Sequence, residues 1–129
     1  MQQCEGLQPD LCGRFYNPRH PEYGPPHAAS TGAYLEGIAD ALALAKFLGE
    51  KTRTSAYQNV IRLGLRSLRQ LQFRDRRDAF YISKPTRVLG ALRTETYDNS
   101  IRVDSASHAL SAALKILQPI KFNPRHSLN

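Results

Sequence analysis

The chain has 129 residues, a formal net charge of +7 and 41% hydrophobic residues, which suits one modest domain or part of one. No stretch is apolar for long enough to cross a bilayer, and Met1-Gln2-Gln3-Cys4-Glu5 is polar where a secretory leader is charged and then apolar, so a cytoplasmic protein with no membrane partner is expected. Cys4 and Cys12 are too few for a disulfide framework and pair only where the compartment is oxidising.

Residues 1–27 hold five of the eight prolines and three of the eight glycines. Asn17-Pro18, His20-Pro21 and Gly24-Pro25-Pro26 break regular structure. Leu7, Leu11, Phe15, Tyr16 and Tyr23 are too many large apolar groups for a free linker, so this segment reads as an irregular arm laid across the helices. Cys4, Cys12, His20 and His27 are soft ligands, but they stand seven or eight residues apart instead of in tight Cys-x-x-Cys pairs. No metal and no cofactor is expected.

A helix follows, with Ser30 or Thr31 as its cap and Gly49 as its stop. Between them only Glu36, Asp40 and Lys46 interrupt an apolar coat, so the helix reads as buried. Gly37 inside it suits a close approach by another helix. Glu36 and Asp40 are like charges at i, i+4 and read as a solvated stripe, or else one of them meets an arginine of the loop. Ser55 and Gln58 fit a capping box for a second helix. Tyr57, Val60, Ile61, Gly64, Leu65, Leu68 and Leu71 mark one face of it, while Arg62, Arg66 and Arg69 mark another that faces water. The short connection predicts an antiparallel hairpin.

Residues 79–101 read as an insertion, a short β-hairpin or irregular structure. Arg74-Asp75-Arg76-Arg77-Asp78 is a charged turn before it, and Tyr97-Asp98-Asn99-Ser100 is a turn within it. From residue 102 to residue 118 the chain is again apolar and small on almost every side: Ala106, Ala109, Leu110, Ala112, Ala113, Leu114, Ile116, Leu117. Asp104 or Ser105 caps this helix and Pro119 stops it. So little polar surface requires cover by other helices. The predicted class is all-α, with an arm over 1–27, a helical domain over 28–118 and a flexible tail over 119–129.

Buried helix, amphipathic helix, long loop and buried helix is an alternation that resembles an (α/α)6 toroid. Ser30-Thr31-Gly32-Ala33-Tyr34-Leu35-Glu36-Gly37, and Gly90-Ala91-Leu92-Arg93 followed by Arg102-Val103-Asp104 and His108, are similar to segments of the six-hairpin toroid proteins. That group includes glycosidases, sugar epimerases and uronate lyases. The resemblance covers about residues 27–118 and implies the C-terminal portion of such a protein. It implies pocket residues where the inner helices begin, with Glu36, Asp104 and His108 as catalytic groups and His27, Tyr34, Arg93 and Arg102 as substrate-binding groups. A carboxylate beside a histidine shares a proton, and arginines hold a substrate carboxylate by paired hydrogen bonds. The implied function is therefore action on carbohydrate, an acidic sugar by preference. A complete toroid has about twelve helices and this chain has room for three or four, so it serves as a subunit or interaction module, with self-association or a partner chain covering the open apolar faces.

Simpler readings stand beside these. Asp104 is a helix cap, Arg102 pairs with Asp104 or Asp98, and His108 is a hydrogen-bonded core histidine. The alternative function is a basic helical module that binds nucleic-acid phosphates through Arg62, Arg66, Arg69, Arg74, Arg76 and Arg77, although no recognised nucleic-acid-binding signature accompanies them.

Overall fold

The computed structural model describes residues 2, 12–17, 19, 20, 22 and 26–119. The fold is all-α, with α1 (Ala28–Phe47), α2 (Lys51–Leu71) and α3 (Val103–Leu117), and a short 3-10 turn at Pro85–Arg87. The tail expected after Pro119, and Cys4, lie outside the described residues.

The start of α1 is built by His27 and not by Ser30 or Thr31. His27 Nδ1 accepts from the Ser30 backbone N–H at 3.2 Å, and Ser30 Oγ accepts from the His27 N–H at 3.3 Å. This is a reciprocal capping box in which Ser30 is the third helical residue,. The helix therefore begins three residues before Thr31, and Thr31 is fully buried inside it. Gly49 ends it as expected. At φ +71° it donates to Lys46 O while Glu50 donates to Ala45 O at 2.9 Å, the paired bonds of a Schellman stop. That stop leads straight into α2, whose N-cap is Glu50 and which begins four residues before Ser55. The capping box at Ser55 and Gln58 is not formed, because the chain is already helical there. Likewise α3 starts at Val103, with Arg102 as N-cap and no side-chain cap bond, so neither Asp104 nor Ser105 caps it.

Helix α1 is central and packs against both α2 and α3. Leu35 of α1 lies on Gly64 of α2, so the two helices form an antiparallel hairpin about Gly49. Leu35, Ile61, Leu68 and Leu71 are buried there, with Phe15 of the arm and Ala112 of α3 in the same cluster. On the other side Gly32 meets the backbone of His108 and Ala109, Glu36 meets His108, and Asp40 meets Lys115. Contacts that advance together along both helices mean that α1 and α3 run parallel. The close helix approach is thus at Gly32. Gly37 has no neighbour within 4 Å of where a side chain would sit.

Among the described residues 72–102 there is no strand, only the isolated bridges Gln72–Leu92 and Arg93–Ile101. The segment folds back on the end of α2 through Phe73 N–H to Ala91 O and Arg93 N–H to Leu71 O, and Ala28 N–H donates to Thr94 O. The insertion therefore sits at the end of the molecule where α2 finishes and α1 and α3 begin. The described part of the arm lies on α1 and α2. Phe15 N–H donates to Thr31 Oγ1, Gln2 Nε2 donates to Val60 O, and Gly13 abuts the Leu63 carbonyl.

Candidate functional site

The parallel packing brings the candidate residues together in two groups. At the mouth, His27 is engaged as the cap of α1 and stands close enough to Asp104 to draw its proton affinity down. Arg102 Nε and Nη2 donate to the two oxygens of Asp104 at 3.0 and 2.8 Å, a bidentate pair. Chiefly through that pair, and through the Ser105 N–H, the Asp104 carboxyl is lowered to about 2. A carboxyl held there carries no proton to give at neutral pH and is a feeble base, so Asp104 is a poor acid–base catalyst. Its observed work is to orient Arg102, which keeps its Nη1 edge available.

Along the seam, His108 Nδ1 lies 2.6 Å from Glu36 Oε1, with the side chains 43% and 23% exposed. One turn further on, Lys115 Nζ donates to Asp40 Oδ2, also at 2.6 Å, and this bond raises the Lys115 ammonium above its ordinary value. Glu36 and Asp40 are therefore not a solvated stripe. Each acid meets a basic side chain of α3 across the seam. The carboxylate at Nδ1 fixes the ring and leaves Nε2 as the histidine's working atom.

Tyr34 stacks on Phe15 with centroids 4.9 Å apart and stays 46% exposed. Arg93 lies with its guanidinium 4.6 Å from the centre of the Phe73 ring, a cation–π contact that ties it to the root of the insertion. Tyr34 and Arg93 are thus held by aromatic packing, and no hydrogen bond or ion pair joins either to the Glu36–His108 pair.

Two features had no place in the sequence reading. Asp40–Lys115 is one. Glu36 and Asp40 stand four residues apart and His108 and Lys115 seven, so no shared spacing announced it. The other is a buried charged group at the insertion. Arg14 is 5% and Glu95 7% exposed, and both act on Tyr97. A hydrogen bond to Glu95 raises that phenol and the Arg14 charge opposes the rise. Neither residue stands in a pattern that marks it in the sequence.

Among the described residues no group of histidine, cysteine and carboxylate side chains could hold a metal ion. Cys12 is in a disulfide, which removes it from the soft-ligand set of the arm. No described helix is long and apolar enough to cross a membrane. No protein-family model, curated protein or solved structure matches the chain.

Proposed function

We infer that the chain is a portion of a toroid-type carbohydrate-active protein, and that Glu36 and His108 form its acid–base pair, acting on an acidic sugar. The observation that carries this reading is the 2.6 Å contact, partly open to solvent, between Glu36 and His108, 72 residues apart in sequence on parallel helices. Two parallel helices flanked by an antiparallel one are compatible with two inner helices and one outer helix of a toroid.

In this reading Glu36 holds Nδ1–H and the His108 Nε2 lone pair takes a proton from a carbon next to the sugar carboxylate, where the carboxylate stabilises the developing charge. The Nη1 edge of Arg102 supplies donors for that carboxylate. The compartment belongs to the same proposal. The sequence points to the cytoplasm, whereas a disulfide at Cys12 persists where thiols are oxidised. Counting free thiols on protein recovered from cells separates the two.

The test is a panel of uronic-acid and neutral oligosaccharides, followed by calorimetry for binding and by ultraviolet and chromatographic assays for turnover. Uronides bind and neutral sugars do not. His108→Ala lowers turnover about 10²- to 10⁴-fold with binding retained, and Glu36→Gln lowers it in the same direction. Equal binding of both sugar classes, or turnover indifferent to His108, refutes the reading.

A further inference from the structure

Helices α2 and α3, with Gly90, Ala91 and Leu92 of the insertion, frame a groove of about 510 Å³. Leu65 and Leu68 form one wall; Ala106, Ala109, Leu110 and Ala113 form the other. The α3 wall continues onto an open face where Val103, Leu110, Leu114 and Leu117 are 85%, 61%, 49% and 78% exposed. Leu110, Leu114 and Leu117 follow the four- and three-residue spacing of a helix–helix seam, with Val103 one heptad before Leu110, and the small side chains beside them admit a close helix axis. The α2 rim differs in kind. Arg69 lines the groove, and Arg62 and Arg66 stand exposed beside it on the same helix. Among the described residues no carboxylate pairs with any of the three.

We propose that this groove docks an amphipathic helix of another protein, one that carries apolar residues on its inner face and carboxylates along the edge that meets Arg62, Arg66 and Arg69. The charge on this chain rules out its own helices as that occupant. Within Lys51–Leu71 there is no acidic residue. In α1 the acids Glu36 and Asp40 are engaged by His108 and Lys115, and in α3 Asp104 is engaged by Arg102. Residues 118–129 carry Lys121 and Arg125 and no acid. Of the described arm, Gln2 lies at Val60 and Gly13 at Leu63, neither of which lines the groove. A second copy would bring one basic rim against another, at a net charge of +7 each, and like charges across an interface oppose association.

The test uses two fluorescent, covalently stapled helical peptides with leucine along one face, one flanked by glutamate and the other by lysine. Anisotropy is read on the full chain at low salt and at about 0.5 M salt, where surface charges are screened. The glutamate peptide binds at least about tenfold more tightly, and salt weakens it. Arg66→Glu with Arg69→Glu removes that preference at an unchanged circular dichroism spectrum. Leu110→Ser weakens both peptides while leaving the preference in place. Equal affinity for the two peptides overturns the proposal. So does a concentration-dependent dimer that Leu110→Ser abolishes, which assigns the face to a second copy. Retention of duplex DNA or RNA through the same arginines, with no competition from the glutamate peptide, assigns the rim to phosphates and also overturns it.

Discussion

Helices α2 and α3 are both neighbours of α1, yet they are joined to it and finished on the outside in opposite ways. The α1–α2 seam is dry. Leu35 is fully buried against Gly64, with Ile61, Leu68 and Leu71 around it, and the far side of α2 is polar and basic. The α1–α3 seam buries only small groups such as Ala112 and adds a close backbone approach at Gly32 and the polar pairs Glu36–His108 and Asp40–Lys115, and the far side of α3 is leucine. Burial of a leucine is worth about 1.5–3 kcal/mol, whereas an exposed ion pair is worth about 0–1 kcal/mol. The first seam should therefore hold the fold and the second should set its geometry. Truncation of Leu35 is the sharpest test. Leu35→Ala should cost about 2–5 kcal/mol in a urea melt, the largest single loss on either seam. A cost below that of any substitution on the α3 side would reverse the ranking of the seams.

The next test lies on α1 itself, at two glycines five residues apart. A methyl at Gly32 would sit 2.8 Å from Ala109 N and from His108 C, and backbone cannot step aside as a side-chain tip can. Gly32→Ala should destabilise by about 1–3 kcal/mol through overpacking. Gly37 faces open space, so Gly37→Ala should stabilise by up to about 1 kcal/mol through helix propensity alone. Opposite signs from the same chemical change would locate the α3 contact. Equal signs would mean that α3 does not approach α1 at Gly32.

Much of this architecture was legible in the sequence, because apolar periodicity, Gly49 and Pro119 act locally. The helix starts were less so. Ser30 is a capping residue by type, yet it serves as the third residue of a box whose first member is a histidine, and histidine is not a usual cap. Helix α2 begins without any side-chain cap, so no residue type announces it. The exposure of α3 was misread for another reason. Composition says that a leucine face wants cover, but not whether the chain supplies it. The Glu36–His108 pair was legible only as two separate candidates, since their meeting depends on α1 and α3 running parallel. Its energetic worth is correspondingly modest. A double-mutant cycle of Glu36→Gln and His108→Gln should give a coupling of about 0.5 kcal/mol. A coupling above 2 kcal/mol would make the pair a structural strut.

The smallest expected effect is at the mouth, where Asp104 anchors Arg102 on the surface. Its folded value of about 2 lies below the ordinary 3.8, so the folded state holds the carboxylate in its charged form. The stability that follows is complete above the unfolded value and is lost as pH falls through the folded one. Asp104→Asn should therefore be less stable than the parent well above pH 3.8, and the two should converge as pH drops below about 2. The gap should also shrink in high salt, because the pair is exposed to solvent. A variant that stays less stable than the parent at the acid end would mean that Asp104 acts through its shape and its bond to the Ser105 N–H.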